Sequence, residues 1–313
     1  MIKLAISERC VNCGQSVTVF LERVVTSMMN AELTHFLGRE PYVRVAEAVN
    51  HRNGSYTIHR RNAFCGEYIL AFLALLALRL RKLRVILTRP TLWRALYWYR
   101  VMAAVEHKPV LKRPLTTVVD IGANRGQFAL AVREFSKARV FSFEPLVSPA
   151  DVFKRVFSGD SSVKLFVAAI GPNTEKRKMH ISARDDSSSL LEIGQTQSAL
   201  FPGTHEIGTV EVTVAPLDTY LSADDIIAPA MLKLDVQGFE LQALEGCRNL
   251  LPSFHYIYCE CSFIELYKGQ KLAGDVIAYL QGYGFILRGI YNAAYDAEGN
   301  CIQADLLFGK AGV

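Results

Sequence analysis

Seven residues in the middle of the chain, Asp120-Ile121-Gly122-Ala123-Asn124-Arg125-Gly126, carry the pattern D-x-G-x-x-x-G. They follow the apolar run Thr117-Val118-Val119-Asp120-Ile121. They open a stretch with apolar residues at 128, 131, 132 and 135. A strand that turns through glycines into a helix is the local setting of a nucleotide-binding loop. Gly122 and Gly126 lack a Cβ, so the backbone can turn tightly and approach a ligand. The first turn of the helix then offers N–H groups that have no helical partner. A loop that holds the pyrophosphate of a dinucleotide usually reads G-x-G-x-x-G. This loop begins with an acid, which repels a pyrophosphate and suits a cation. The positively charged methionine end of S-adenosyl-L-methionine is such a cation, met through water or through its amino group. The other reading is a tight strand–helix turn without a ligand. Glu144 closes the next apolar run, 22 residues after Gly122. An acid placed there accepts the hydroxyls of an adenosine ribose, although strand ends also carry solvated charges.

Such residues need a scaffold that brings strand ends together. From Thr116 onward, short β-rich runs alternate with helical patterns, as in a parallel sheet covered by helices. Strands are predicted at 117–121, 139–143, 163–169, 231–236 and 254–260, and helices at 127–135, 239–250 and 271–280. Two last strands, 284–291 and 303–308, flank the turn-rich Asp296-Ala297-Glu298-Gly299-Asn300. Strands so closely joined pair antiparallel, because a parallel crossover needs about a dozen residues or more. The predicted fold is α/β and Rossmann-like: a seven-stranded, mostly parallel sheet with a terminal antiparallel hairpin. That matches a class I methyltransferase better than a dehydrogenase. This domain is assigned to residues 111–313. A helical extension precedes it at 61–110, and residues 1–60 stay unassigned.

Residues from about 116 to 308 resemble the FkbM-type methyltransferases. The matching stretches are VVDIGANRGQF (118–128), FSFEP (141–145), VAAIG (167–171), DDSSSL (185–190), a strand into Leu217-Asp218, LKLDVQGFELQALEGC (232–247), IYCE (257–260) and ADLLF (304–308). Their order is that of the family. The resemblance implies S-adenosyl-L-methionine as cofactor and O-methylation, often of sugar or polyketide hydroxyls. By position it implies that Asp120, Gly122, Asn124 and Gly126 bind the cofactor, with Glu144 on the ribose. Residues 1 to about 60 fall outside the resemblance.

Candidate catalytic residues come from the end of the fourth strand. In open α/β sheets ligands lie at the carboxyl ends of strands, near the switch point, so Asp235 is expected to face the transferable methyl. It is the first candidate for a base that takes the acceptor's proton. His180 and His205 are the next, His205 in a presumed lid loop, Phe201-Pro202-Gly203-Thr204-His205. Each is equally a polar surface residue. Glu240 lies in the first turn of the next helix, where it either joins the site or serves the helix dipole. Glu260 ends the fifth strand. Asp235, Glu240 and Glu260 could also offer oxygen ligands to Mg²⁺, but no His/Cys cluster suits zinc. Asp185 to Leu190 sits in a long insertion, where hydroxyls and carboxylates in a row read a carbohydrate or form a solvated turn.

Half of the 313 residues are apolar and the net charge is +5, too weak a surplus to imply nucleic acid. The expected partner is a small-molecule or glycan acceptor. Seven cysteines at irregular spacing argue against a disulfide framework and for a cytoplasmic protein. The N-terminus lacks a basic region followed by an apolar one, so no signal peptide is expected. Cys10 and Cys13 form a C-x-x-C without a second pair. The apolar run Tyr68 to Leu78 makes about 16 Å of helix, against about 30 Å of bilayer core. It is expected to be a buried helix rather than a transmembrane span. The segment from 65 to 107 reads as helical, parted by Pro90, and carries seven Arg and Lys with no acid among them from Arg79 to Arg100. Its basic face is either solvated or touches an anionic membrane or acidic glycan. Two other functions stay open: an NAD-dependent oxidoreductase on the same sheet, and a non-catalytic binding protein that kept the fold.

Overall fold

A strand buried on both faces must be apolar nearly throughout, and Thr117–Ile121 is buried at every position. The structure, a computed structural model, describes residues 89–310 and four strand segments nearer the N-terminus. Those four are β1 (Lys3–Arg9), β2 (Ser16–Glu22), β3 (Val49–Arg52) and β4 (Ser55–Ile58). β1 pairs antiparallel with β2, and β3 with β4. They belong to a unit of their own, Met1–Arg61, and the rest of the chain forms a second, Asn62–Val313. The Cys10/Cys13 pair, the apolar run 68–78 and the bases from Arg79 to Arg84 lie outside the described residues.

The second unit runs through α1 (Pro90–Tyr99), β5 (Thr117–Ile121), α2 (Gln127–Phe135), β6 (Arg139–Phe143), α3 (Val147–Val156) and β7 (Val163–Phe166). It continues with β8 (Ala169–Ile170), β9 (Glu175–Ser182), β10 (Glu206–Ala215), β11 (Ala230–Leu234), α4 (Glu240–Gly246), β12 (Tyr256–Ser262), α5 (Ala273–Gly282), β13 (Phe285–Tyr295) and β14 (Cys301–Lys310). The main sheet has seven strands in the order β13-β14-β12-β11-β5-β6-β7. β12, β11, β5, β6 and β7 are parallel, and β14 is antiparallel to both its neighbours. This is the predicted class I methyltransferase sheet with its closing hairpin. The chain winds outward from β5 to β7, then returns to lay β11 on the other side of β5. That reversal opens a crevice at the carboxyl ends of β5 and β11.

Two departures from the sequence reading concern the region beside the main sheet. The strand expected at 163–169 is two: β7 ends at Phe166, and β8 leaves to join β10 and β9 in a separate three-stranded sheet. The β9–β10 hairpin escaped because its pattern is mostly charged and exposed. Glu175, Lys176, Arg177 and Lys178 open β9, and Met179, Val212, Val214 and Ala215 are the hairpin's few buried apolar residues.

The core fills both faces of the main sheet. One side gathers Phe143, Leu234, Phe239 and Phe308. The other packs Leu92 and Ala95 of α1, Phe128 and Val132 of α2 and Phe153 of α3 against Val118 and Tyr258. Each such large apolar side chain contributes about 1.5–3 kcal/mol by leaving water. Among the described residues no helix is long and apolar enough to cross a membrane.

α4 comes so close to the β8 exit that a Cβ on Gly246 would overlap the Gly171 carbonyl. Backbone cannot yield as a side chain does. Gly246→Ala is expected to lower stability by about 1–3 kcal/mol, the usual cost of overpacking, read as a lower urea midpoint with an unchanged slope. A midpoint equal to wild type would refute the close packing.

Candidate active site

The glycine loop is tight for a physical reason. Gly122 has φ +79°, and a Cβ there would overlap the Asp235 carbonyl oxygen. Gly126 has φ +96°, and its Cβ would meet the Phe157 ring. The loop is pinned from both sides: Gly122 and Ala123 donate to Phe143 O, each at 3.0 Å, and Asp235 N–H donates to Ile121 O at 3.1 Å. Thus β5, β6 and β11 end at one place, around a cleft of about 290 Å³. Gly122, Asn124, Glu144 and Asp235 line it, together with Lys233 and His107.

Glu144 is buried at the cleft wall. Its Oε2 accepts the Asn124 N–H at 2.9 Å and its Oε1 accepts the Leu146 N–H at 2.8 Å. Burial pushes this carboxyl up to about 7, against the pull of the two backbone donors. The fixed carboxylate keeps its other lone pairs for a ligand.

Asp120 is fully buried, away from the surface where a ligand was expected to meet it. Its Oδ1 lies 3.1 Å from the Nζ of Lys233, also buried. The same ammonium donates to Gly122 O at 3.0 Å, stands 3.8 Å from Asp235 Oδ2 and rests 5.5 Å from the Phe128 ring centroid. Burial alone would lower the Lys233 ammonium, but the Asp120 and Asp235 carboxylates outweigh it and hold it above the usual lysine range. Lys233 therefore stays charged and ties the glycine loop to two strand ends.

Asp235 has a side chain 38% exposed. Gln237, in the left-handed region at φ +55°, curls back beside it. The Gln237 amide donates to Asp235 Oδ1 at 2.8 Å and to Glu260 Oε2 at 3.0 Å, and its Oε1 accepts the Tyr267 hydroxyl at 2.7 Å. Gln303 donates to the other Glu260 oxygen at 2.9 Å. Burial, with Asp235 and Asp305 nearby, pushes the Glu260 carboxyl well above the usual range. Glu240 faces the loop backbone instead: its Oε1 accepts N–H groups of Val236 at 3.1 Å and Gly238 at 3.0 Å. Burial pushes it to about 7. Among the described residues no group of three or more His, Cys, Asp or Glu is arranged to hold a metal ion.

The insertion between β9 and β10 closes over the loop. Asp185, Asp186 and Ser188 line the cleft, and Arg125 of the glycine loop holds Asp185 at 2.7 Å. His205 is not brought there. It is exposed and does not line the cleft, and its carbonyl accepts the Ala183 N–H. His180 pairs with Glu206 at 2.8 Å. The histidine at the cleft is His107, from a turn before β5. Its Nδ1 is 2.9 Å from the Tyr258 hydroxyl, which donates to Asp305 Oδ2 at 2.9 Å. Sequence reading passed over His107, Gln237 and Tyr267. Lys233 did carry a signal, as one charge inside the apolar run Met231-Leu232-Lys233-Leu234. Such a charge persists in a buried strand only if paired.

The model of the methyltransferase FkbM domain matches residues 120–287, more than half of the chain. The chain belongs to this family. It is a methyltransferase, and its cofactor is S-adenosylmethionine; the glycine cradle and the acid after β6 fit that group. The match replaces the oxidoreductase reading. Two curated relatives are similar. The 2-O-methyltransferase NoeI of Sinorhizobium fredii is 26% identical over 56% of this chain and 76% of its own length. The hexuronic acid methyltransferase AglP of Haloferax volcanii is 27% identical over 45% of this chain and 54% of its own length. A putative tRNA methyltransferase from Streptococcus pneumoniae, solved with S-adenosyl-L-methionine, is a distant likeness: TM-score 0.40, 10% identity, 68% of this chain and 76% of that one.

Two outcomes follow from the buried charges. Lys233→Met strands Asp120 without its partner and is expected to cost about 3–5 kcal/mol. Adding Asp120→Asn should recover much of that loss, as measured by urea unfolding of the single and double variants. Equal stability of the Lys233→Met and wild-type proteins would refute the pairing. The second concerns pH. Glu240 has a folded pKa of about 7 against 4.5 for the free group. It binds its proton more tightly when folded, so its contribution is full below about 4.5 and is lost as pH rises through about 7. Between pH 5 and 8 wild type should lose more stability than Glu240→Gln, by up to about 3 kcal/mol. Parallel profiles would contradict the burial of this carboxyl.

Proposed function

We propose that this methyltransferase acts on a hydroxyl group of a sugar or glycan. The observation that carries the reading is a partly exposed carboxylate, Asp235, in the cleft, with Asp185, Asp186 and Ser188 of the insertion lining the same cleft. Carboxylates and a hydroxyl so grouped match the donors of a polyol. The names of NoeI and AglP, an O-methyltransferase and a methyltransferase of a hexuronic acid, support the same class of acceptor.

Bound S-adenosylmethionine supplies an electrophilic methyl on a cationic sulfur. The protein's task is then to align the acceptor oxygen and to receive its proton. Glu144 holds the ribose hydroxyls. Gly122, Asn124 and Gly126 let the loop backbone approach the cofactor. Asp120 works through Lys233, which fixes the loop. Asp235 orients the acceptor hydroxyl and takes its proton, held in place by the Gln237 amide. Glu240 positions that amide's loop. His107 is assigned as the other proton acceptor at the cleft, its ring positioned at Nδ1 by the Tyr258 hydroxyl, which donates to Asp305. His205 does not line the cleft and is given no role.

The test is transfer of a labelled methyl from S-adenosylmethionine to a panel of sugars and glycans, with Asp235→Asn beside wild type. Wild type should label hydroxyl-bearing sugars. Asp235→Asn should lower kcat at least about a hundredfold, with S-adenosylhomocysteine affinity nearly unchanged. A wild-type rate in the variant, or a defect confined to cofactor binding, would refute the role of Asp235. Labelling of non-sugar acceptors alone would refute the acceptor class.

A further inference from the structure

α1 is amphipathic in an unusual way. Its inner face buries Leu92 and Ala95. Its outer face is not polar: Trp93, Tyr97 and Trp98 are 38%, 48% and 70% exposed. The three rings touch in series, Trp93 to Tyr97 at 5.3 Å between centroids and Tyr97 to Trp98 edge-on at 5.0 Å. They form one continuous aromatic ridge about a helical turn and a half long. Arg94 and Arg100 are exposed beside it. The surrounding sequence has the same sign throughout. From Tyr68 to Val105 there is no Asp or Glu, but there are seven Arg and Lys, and eleven consecutive apolar residues lead into them.

We propose that α1 docks this protein on an anionic lipid bilayer, with the aromatic ridge in the headgroup layer and the arginines against lipid phosphates. Indole and phenol rings favour that layer because one edge is apolar and the other forms hydrogen bonds. Clustered bases add attraction to an anionic surface. A second copy of the chain fits less well. A two-fold contact through α1 sets like surfaces against each other, and the helix has no acid to face the partner's Arg94 or Arg100. No residue of α1 lines the cleft, and the proposal is independent of the acceptor.

The chain carries its own probe, since Trp93 and Trp98 are its only tryptophans. Full-length protein is mixed with phosphatidylcholine vesicles, with or without phosphatidylglycerol. Tryptophan emission should shift to the blue with phosphatidylglycerol and be quenched by lipids brominated in their acyl chains. Co-sedimentation should rise at least about tenfold over neutral vesicles and fall as salt screens the bases. Trp93→Ser/Trp98→Ser should lose at least about fivefold of the bound fraction, with its circular dichroism and S-adenosylhomocysteine binding unchanged. Arg94→Gln/Arg100→Gln should lose part of the preference for anionic lipid. The proposal is overturned by unshifted, unquenched emission in wild type, or by full vesicle binding in the tryptophan variant. It is also overturned by a lipid-free dimer that the tryptophan substitutions dissociate.

Discussion

An ammonium and a carboxylate, shut away from water between the two central strands, set the terms for the rest of this structure. Asp120 on β5 and Lys233 on β11 are neighbours in register as well as in charge. Neither is tolerable alone at that depth, since an unpaired buried charge costs several kcal/mol. The pair does more than cancel. The same ammonium reaches the Gly122 carbonyl and approaches Asp235. One cation thereby fixes the start of the glycine loop and the end of β11, which are the two sides of the switch point.

The loop could not close on β11 with any other residue at 122, because the Asp235 carbonyl fills the space of a Cβ. That contact makes the position of the acid depend on the glycine. A second layer then fixes the acid's orientation. Gln237 holds Asp235 and Glu260 with one nitrogen and is itself held by Tyr267, while Ser189 donates to its backbone carbonyl at 2.6 Å. The insertion that carries Ser189 is thus fastened to the same loop as Asp235. A site whose orienting groups come from strand ends and a locked insertion is held more firmly than one on free loops.

The parts of the fold that follow from local periodicity were readable from residue types. Val118, Val119 and Ile121 announce a buried strand, and Asp296 to Asn300 announces the turn between the last two strands. The β9–β10 hairpin was not, because its packing depends on four buried apolar residues among charges. The site divides in the same way. Glu144 and Asp235 stand at strand ends, where sequence alone can place them. His107, Tyr258 and Asp305 come from three distant segments, and only the folded sheet brings them together. Glu240 looked like a site acid, but a carboxylate at the first turn of α4 finds the Val236 and Gly238 N–H groups before any ligand. His205 drew attention as a loop histidine, and the direction of its loop was not readable from composition.

The central claim is that the crevice between β5 and β11 takes the cofactor with its adenosine toward β6 and its sulfur toward β11. The most direct measurement is a crystal structure of the full chain with S-adenosylhomocysteine. In that structure the ribose hydroxyls should lie at hydrogen-bonding distance, about 3 Å, from the Glu144 carboxylate, with the sulfur on the Asp235 side of the cleft. A ligand bound the other way round, or bound outside this crevice, would contradict it.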